Sequence, residues 1–520
     1  MTKNISLQND DASSTLAKGQ HLELTITGLA LGGKAIARTE DEIQDDSRGR
    51  VVFIDKGLPD QRVLVELTTV KKRFAEAKLL KVLDAGPHAR EAHCPHFGVC
   101  GGCTWQDLPY EAQLFWKERF VRDVLGRIGN QKELSMLPIL GSPQEFGFRN
   151  KMEFAFGTDA QGKIQLGLRQ RNSHAIVDVS DCKLQSSLAQ KIVNAARELC
   201  SQSTLPAWND AKSTGFWRFL VIRQPAYGKQ CVVHLITSQP QGNPEEAAKA
   251  AARAKANPVW GKKRRAQKAI SAPVIEATIA DFGKAIMEAV PEISGFSHAY
   301  RTEASQVAQG QGSDIHRGKS NLREKIGSVT LGYGPSSFFQ TNTPATELLY
   351  AEVARMAALS GREEVWDLYC GVGSITLYLA PMAKNITGME ISKASIEWAK
   401  RNATAMECPT CTFEAGDVRQ NITKRRPRPQ VVILDPPRAG LHPQVIEILC
   451  KKRPSRIVYV SCDPATLARD IALFAEEYEL AEVRAVDLFP QTAHVETVAL
   501  LRRRIVRKTD GMSEDTAEKE

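Results

Sequence analysis

The sequence predicts an α/β protein in three parts: a small N-terminal β-barrel, a central β-rich domain, and a C-terminal Rossmann-like domain with a doubly wound, mainly parallel sheet. Three observations lead to this fold class. Short runs with period-two apolar residues, from residue 21 to about 83, are separated by glycine and proline turns, as in small barrels. Further strand-like runs lie between residues 145 and 185. From residue 364 onward strand and helix patterns alternate, which indicates parallel strands joined by helices.

The length of 520 residues suits about three domains, at roughly 150 residues each. The boundaries that we expect are a flexible tail at 1–18, the barrel at 19–86, the central domain at 87–345 with a basic insertion at about 239–271, the α/β domain at 346–505, and an acidic tail at 506–520.

Positive charge is concentrated in three segments. The chain has 69 Lys and Arg against 60 Asp and Glu, and the basic residues cluster at 261–268, 424–428 and 502–508. Such clusters fit a polyanionic partner, because Lys and Arg displace counterions from phosphates. A solvated basic face explains them equally well, so charge alone leaves nucleic acid binding open.

The sequence contains no apolar run of membrane-spanning length and no apolar stretch of signal-peptide type at its start, so we expect a cytoplasmic protein without a membrane partner, acting as a monomer. Eleven cysteines, an odd number, argue against a disulfide framework and for metal-binding or catalytic cysteines.

Three cysteines lie close together in a glycine-containing segment. Cys94, Cys100 and Cys103 have the spacing C-x5-C-x2-C, and Cys182 is the nearest candidate for a fourth ligand. Four thiolates suit either zinc or a [4Fe-4S] cluster, and the spacing does not decide between them. Reduced cysteines without a metal are the alternative.

Two apolar strands of the predicted sheet end in polar residues. One is residues 433–440 (Ile-Leu-Asp-Pro-Pro-Arg-Ala-Gly), and the other leads into Ser461, Cys462 and Asp463. Parallel strands bring their carboxyl ends to one edge, where ligands bind. A thiol at that edge indicates a nucleophile rather than a buried apolar cysteine.

The first strand of the α/β domain ends in a glycine turn. Gly371 and Gly373 allow close approach of a ligand, but residue 376 is Thr, so the third glycine of the dinucleotide fingerprint is missing. Glu390, about 20 residues on, is placed to accept both ribose hydroxyls, and Asp417 follows the next strand. This pattern favours S-adenosylmethionine over NAD.

Four motifs in order give the chain a resemblance to the RNA uracil-5 methyltransferases. They are Gly371-x-Gly373, Asp435-Pro-Pro-Arg-x-Gly, Ser461-Cys-Asp-x-x-Thr and His494-Val-Glu-Thr. The similarity spans residues 20 to 505 and, because it includes a TRAM-like barrel and a cysteine cluster, is nearest to the 23S ribosomal RNA branch. It implies an RNA partner, S-adenosylmethionine as cofactor and a [4Fe-4S] cluster.

The resemblance also implies roles for individual residues. Cys462 matches the nucleophile that adds to uracil C6, and Glu496 matches the base that removes the C5 proton. The positions that match contacts to S-adenosylmethionine are Gln340, Tyr369, Ser374, Glu390, Asp417 and Asp435. The positions that match ligands of the [4Fe-4S] cluster are Cys94, Cys100, Cys103 and Cys182. Ser374 stands where relatives often have Asn, and the insertion at 239–271 has no counterpart.

Other functions remain as alternatives at this point. The enzyme could act on tRNA instead of 23S rRNA, and the N-terminal half alone would suit a non-catalytic zinc-ribbon RNA-binding protein. An amino-methyltransferase is disfavoured because Arg438 stands where an aromatic residue would follow the proline pair, and a cytosine-5 enzyme because a second cysteine is missing there. Phe338 and Phe339 are candidates for stacking on a flipped base or for the core.

Overall fold

The computed structural model describes residues 16–39, 49–131, 133–239, 272–303 and 307–504. The basic insertion from 240 onward and the acidic tail therefore lie outside the described residues. The chain divides into two compact units: one comprises the residues up to His93 with 103–116 and 491–493, and the other comprises 94–102, 117–490 and the residues from His494. Within the described part of the chain, no helix has the length and apolar character needed to cross a membrane.

The N-terminal strands form a closed barrel, as predicted. The strands are β1 (His21–Leu29), β2 (Ala35–Arg38), β3 (Val51–Ile54), β4 (Arg62–Val70) and β5 (Phe74–Asp84), and their order around the barrel is β1-β2-β3-β5-β4. Alternate residues such as Ile26, Val52 and Val65 are fully buried and fill the interior. Gly57 has a φ of 136°, and a Cβ there would lie 2.4 Å from Ile26 Cδ1, so this turn requires glycine.

The middle of the chain forms a seven-stranded sheet. Its elements, with those that precede it, are α1 (Tyr110–Arg127), β6 (Met136–Leu140), β7 (Lys151–Thr158), β8 (Ile164–Arg169), β9 (Ile176–Asp178), α2 (Ser187–Ser201), β10 (Trp217–Arg223), β11 (Val232–Ser238), α3 (Ala272–Ala289), β12 (Gly295–Arg301) and β13 (Gln311–Gly318). The strand order is β13-β12-β11-β10-β7-β8-β9. Helices α2 and α3 cover one face, with Ile192 and Ile279 fully buried in the shared core.

The C-terminal part of the chain contributes the remaining elements. They are β14 (Leu322–Ile326), β15 (Val329–Tyr333), α4 (Thr343–Ala357), β16 (Glu364–Leu368), α5 (Ser374–Leu379), a 3-10 turn (Ala380–Met382), β17 (Asn385–Glu390), α6 (Lys393–Ala405), β18 (Cys411–Ala415), α7 (Val418–Lys424), β19 (Val431–Leu434), α8 (Pro443–Lys452), β20 (Arg456–Ser461), α9 (Pro464–Phe474), β21 (Tyr478–Val486) and β22 (Glu496–Arg503). β14 and β15 pair as a separate hairpin.

An eight-stranded sheet with the order β18-β17-β16-β19-β20-β22-β21-β6 lies at the centre of this part. The strands from β18 to β20 are parallel, whereas β22 is antiparallel to both β20 and β21. Strand β6 joins β21 at the sheet edge, which the sequence pattern did not predict. Pro138 lies in β6, and an edge strand tolerates a proline because one side makes no ladder hydrogen bonds.

Strand register aligns the carboxyl ends of the parallel strands. Leu368 pairs with Met389 on one side and with Leu434 on the other, and Leu434 pairs with Tyr459. The residues that follow each strand therefore emerge side by side at one edge of the sheet. This edge is where the sequence placed the polar strand ends.

A buried ion pair ties α1 to the segment after β21. Lys117 Nζ lies 2.6 Å from Asp487 Oδ1, both side chains are fully buried, and Lys117 also donates to the Phe489 carbonyl at 3.0 Å. Burial lowers the pKa of Lys117 while Asp487 counteracts this effect. Removal of one partner would leave the other charge buried without compensation.

We therefore expect Lys117→Met to lower the free energy of unfolding by roughly 3 to 5 kcal/mol. Urea unfolding followed by circular dichroism measures this change. The matched control is Lys191→Met, which removes an exposed ion pair with Glu292 at 3.2 Å and should leave the free energy of unfolding almost unchanged, because solvent screens this pair. Equal losses in the two variants would contradict the expectation.

Candidate active site

The turn after β16 leaves open space beside its backbone. Gly371 and Gly373 have φ values of 56° and 83°, and the preceding Tyr369 has a φ of 68°. No atom lies within 4 Å of the position of a Cβ at Gly371, whereas a Cβ at Gly373 would lie 2.9 Å from the ring of Phe413. The first glycine thus borders open space, and the second permits packing against β18. Burial raises the pKa of Tyr369 to about 12, so its hydroxyl stays protonated.

Glu390 orders this turn from the end of the neighbouring strand. Its Oε2 accepts a hydrogen bond from the Gly371 N–H at 3.4 Å, and its Oε1 accepts one from Ser392 N–H at 2.9 Å. Both carboxylate oxygens keep further lone pairs. The carboxylate can therefore also accept hydrogen bonds from two vicinal hydroxyl groups.

Asp417 lies beyond the third strand and caps a helix. Its Oδ1 accepts from the backbone N–H of Arg419 at 2.8 Å, and its side chain forms an ion pair with the Arg419 guanidinium. The hydrogen bonds from Arg419 lower the pKa of Asp417 to about 2. Asp417 is therefore ionised at neutral pH, with part of its acceptor capacity already used.

Ser374 and Gln340 contact residues outside the parallel sheet. Ser374 Oγ lies 2.8 Å from the Tyr350 hydroxyl of α4. Gln340 is 9% exposed, and its carbonyl accepts from Asn150 Nδ2 at 2.9 Å. Asn150 also donates to Thr343 Oγ1 at 2.9 Å, at the first residue of α4. The loop that carries Gln340 is thus held by buried hydrogen bonds.

Sequence reasoning missed Asp367, the fourth residue of β16. This side chain is fully buried, and Oδ2 accepts a hydrogen bond from Thr376 Oγ1 at 2.5 Å. Its Oδ1 is buried and has no hydrogen-bond partner among the described residues. Burial raises the pKa of Asp367 to about 7. An unsatisfied buried carboxylate oxygen fits a cationic group of a bound ligand, and an acidic residue in an otherwise apolar strand was the signal in the sequence.

Cys462 directly follows strand β20, and Glu496 is the first residue of the neighbouring strand β22. Ser461 of β20 pairs with Thr497 of antiparallel β22, so Cys462 and Glu496 are the next residues across this ladder. The two side chains influence each other electrostatically: burial raises the pKa of the Cys462 thiol to about 11, and the charge of Glu496 adds to the effect. The structure therefore brings together the two residues that the sequence assigned to the reaction.

Glu496 is 4% exposed, and burial followed by the charge of Asp435 raises its pKa to about 8. Burial also raises the pKa of Asp435 to about 7. Arg438, whose role the sequence did not indicate, lowers the pKa of both Cys462 and Glu496. The site thus contains a thiol, two carboxyl groups that titrate near neutrality, and a guanidinium that favours the ionised forms.

The two adjacent phenylalanines have different environments. Phe339 is 4% exposed and stacks on Tyr333, with ring centroids 4.5 Å apart and planes at 12°. Phe338 is 70% exposed. Of the two candidates for base stacking, Phe339 belongs to the core and only Phe338 has a ring face open to solvent.

The predicted cluster cysteines are all half-buried and none of them forms a disulfide. Cys94 Sγ lies 3.6 Å from the Asp181 carbonyl, and Cys100 Sγ accepts from the Gly102 N–H at 3.4 Å. Burial raises the pKa of Cys182 to about 11, and the charges of Cys94 and Cys100 add to this shift, so these three thiols lie near one another. The described residues nevertheless include no group of three or more His, Cys, Asp or Glu side chains arranged to hold a metal ion. Thiolates suit a metal, but the side chains of these cysteines are not arranged as a metal site among the described residues.

Fold and site together define a class of protein. The sheet is open and parallel except for one reversed strand. Its glycine turn borders open space and lies beside a strand-end carboxylate that is suited to ribose hydroxyls. This combination is the architecture of S-adenosylmethionine-dependent methyltransferases.

Comparison with known proteins defines the family within this class. Residues 307–504 match the family described as tRNA (Uracil-5-)-methyltransferase, and residues 16–80 match the TRAM domain. An uncharacterized RNA methyltransferase of Nitratidesulfovibrio vulgaris is 50% identical over 95% of this chain and 98% of its own length. One from Clostridium tetani is 34% identical over 94% of this chain and 99% of its own length.

A solved structure is similar over almost the whole chain. The tRNA (uracil-54, C5)-methyltransferase of Pyrococcus abyssi, in complex with S-adenosyl-L-homocysteine, is 27% identical, covers 92% of this chain and 99% of its own, and has a TM-score of 0.68. The chain belongs to the RNA uracil-5 methyltransferase family and is an S-adenosylmethionine-dependent RNA methyltransferase with an N-terminal TRAM domain. A non-catalytic zinc-ribbon protein is thereby excluded.

Proposed function

We propose that this enzyme methylates C5 of a uridine in 23S rRNA, with Cys462 as the nucleophile and Glu496 as the general base. The observation that carries the proposal is that Cys462 and Glu496 lie next to Ser461 and Thr497, the last pair of the β20–β22 ladder, and interact electrostatically. A thiol beside a carboxylate at the carboxyl edge of the sheet suits covalent activation of a pyrimidine ring.

The reaction requires the uracil ring to become nucleophilic at C5. The Cys462 thiolate forms an S–C6 bond, and the C5=C6 electron pair moves onto the ring as an enolate. C5 then forms a bond to the methyl carbon, whose bond to sulfur breaks. S-adenosylmethionine supplies this methyl group when it is bound.

Product release requires a base. Glu496 removes the C5 proton, the electrons of the C–H bond restore C5=C6, and the C6–S bond breaks to return Cys462 as a thiolate. A base with a pKa near 8 suits proton transfer close to neutral pH. Arg438 contributes by favouring the ionised thiol and carboxylate.

For the cofactor we propose contacts from Gln340, Tyr369, Ser374, Glu390, Asp417 and Asp435. The open space beside Gly371 and the remaining acceptor capacity of Glu390 support this set. We add Asp367, because its unpartnered buried oxygen suits the ammonium group of the methionine moiety. Ser374 is already hydrogen-bonded to Tyr350 and would share its hydroxyl with the ligand.

The identity of the product tests the proposal. The enzyme is incubated with methyl-labelled cofactor and RNA from a strain that lacks the gene, and the RNA is digested to nucleosides. We expect label in 5-methyluridine from the 23S rRNA fraction. Label in 5-methyluridine from tRNA would select the second candidate, which the family description and the Pyrococcus abyssi enzyme favour. Label in methylcytidine or methyladenosine would overturn the uracil mechanism.

We also propose that Cys94, Cys100, Cys103 and Cys182 hold a [4Fe-4S] cluster. The C-x5-C-x2-C spacing and the thiolate chemistry support the assignment, together with the electrostatic interactions among Cys94, Cys100 and Cys182. No electron transfer is needed in the reaction, so a structural role fits better than a redox role. We further infer domain boundaries at 19–86, 87–345 and 346–505, with strand β6 of the second segment added to the sheet of the third.

Anaerobic purification should give a brown protein with broad absorption toward the blue end of the spectrum, together with stoichiometric iron and sulfide. Cys100→Ser should abolish the colour, whereas the control Cys450→Ser, in α8, should retain it. A colourless protein that contains zinc would refute the cluster.

A further inference from the structure

Two basic segments that are far apart in the sequence meet at the edge of the sheet opposite the active site. Residues 424–428 precede β19, and residues 502–504 include Arg503, at which β22 ends. Together with the end of α8 they border a surface cavity of about 630 Å³. The cationic residues at this place, which we name the basic patch, are Arg426, Arg428, Lys452, Arg453, Arg503 and Arg504.

Little negative charge compensates the basic patch. The residues that line the cavity include no Asp or Glu. Arg453 forms an ion pair with Glu477 at 3.6 Å. Burial lowers the pKa of Lys452, and the charges of Arg426 and Arg428 lower it further, as expected for cations held close together. The arrangement therefore lacks the alternating charges of an ordinary solvated face.

Backbone hydrogen bonds hold the basic patch in place. Ser455 N–H donates to the Gln430 carbonyl at 2.8 Å, and Arg503 N–H donates to the Ser455 carbonyl at 3.1 Å. Lys452 Nζ donates to the carbonyls of Thr423 and Arg425 at 3.0 and 3.2 Å. The cations are thus fixed relative to one another by the sheet rather than carried on a loose segment.

The basic patch is separated from the reacting thiol by the length of a strand. Strand β20 begins at Arg456, next to the patch, and Cys462 follows its last residue. At about 3.3 Å per residue the two ends are roughly 20 Å apart. A short single strand bound at Cys462 would have to pass from one edge of the sheet to the other to reach the patch.

We propose that the basic patch binds the ribose-phosphate backbone of the RNA substrate at a site remote from the target uridine, so that the preferred substrate is a folded RNA rather than a short oligonucleotide. This inference rests on the proposed function for the identity of the substrate. Closely spaced cations with little compensating negative charge suit phosphates, because each contact releases condensed counterions. The substrate class therefore follows from contacts at both edges of the sheet.

Binding measurements without cofactor test this inference separately from catalysis. The variant Arg428→Gln/Arg453→Gln is compared with Arg127→Gln/Lys284→Gln, which also removes two exposed positive charges but far along the chain from the patch. The probes are a 23S rRNA transcript, bulk tRNA and a three-nucleotide oligouridine, which is too short to span the roughly 20 Å between Cys462 and the patch. Dissociation constants are measured from about 0.05 to 0.3 M salt.

We expect the patch variant to bind the folded RNA that is its substrate, either 23S rRNA or tRNA, on the order of tenfold more weakly than the wild type does. The plot of log Kd against log salt should become shallower by about 1.5, for two lost phosphate contacts. Oligouridine affinity should stay unchanged, and the control variant should match the wild type on every probe.

An unchanged affinity for both folded RNAs would overturn the inference, as would an equal loss on oligouridine or in the control variant. A failure of the proposed function has a different signature, because it would appear as the wrong methylated nucleoside while the salt dependence still reports on the patch.

Discussion

Replacing Cys462 with Ala should reduce methyl transfer by roughly 10⁴-fold or more, the largest effect that we expect from a single substitution. Without the sulfur no bond forms at C6, and C5 of uracil remains too weak a nucleophile to attack the methyl group. RNA binding should be retained, because Cys462 lies on a short segment between β20 and α9 that is ordered by Asp463 and Ser461 rather than by the thiol. Label transfer under single-turnover conditions measures the change.

A trapping experiment distinguishes loss of the nucleophile from loss of folding. Wild-type enzyme with 5-fluorouridine RNA and cofactor should form a covalent complex through residue 462, because fluorine at C5 cannot leave as a proton. Cys462→Ala should form none, and the control Cys450→Ala should form as much as the wild type. Undiminished methyl transfer by Cys462→Ala would eliminate the mechanism.

Replacing Glu496 with Gln should lower turnover by about 10²- to 10⁴-fold and should cause the covalent enzyme–RNA species to accumulate with ordinary uridine RNA. The substitution removes the base but leaves the thiol, so addition and methyl transfer still proceed while elimination is blocked. Denaturing gel electrophoresis detects the retained complex. Glu479→Gln, an exposed position on β21, is the control. Loss of turnover without an accumulated adduct would assign Glu496 to an earlier step.

The pH dependence follows from the raised pKa of Glu496. A base acts only when it is ionised, so wild-type turnover should fall as the pH drops through about 8. Arg438 lowers the pKa of Glu496, so Arg438→Gln should move this fall to higher pH. A pH profile that Arg438→Gln leaves in place would argue against Glu496 as the titrating base.

Much of the fold was predictable because it depends on local periodicity. Period-two runs bounded by Gly57 and similar turns gave the barrel, and the alternation of strands and helices gave the parallel strands of the C-terminal sheet. The strand ends before the Gly371 turn, Asp435 and Cys462 were predicted because apolar runs stop there. Strand β6 was missed, since a short, partly buried segment with a proline has no distinctive pattern.

The candidate site shows the same division. The motifs predicted that the thiol, the glycine turn and Glu390 lie at strand ends, and the structure places them there, because each lies within a short contiguous stretch. Asp367 was missed, because the lack of a hydrogen-bond partner for its Oδ1 among the described residues depends on the tertiary packing around it. Packing also decided which of Phe338 and Phe339 is buried, because only one of these two adjacent aromatic rings can enter the core.

By itself the sequence determined the family, the class of reaction and the order of the structural elements, because these reside in contiguous motifs and local hydrophobic periods. Only the tertiary structure decided which distant segments meet. The antiparallel insertion of β22 beside β20 brings Glu496 to Cys462 at one edge of the sheet and residues 502–504 to residues 424–428 at the other. Strand neighbours are selected by burial of whole faces against one another, and this long-range packing leaves no signature in any single stretch of the chain.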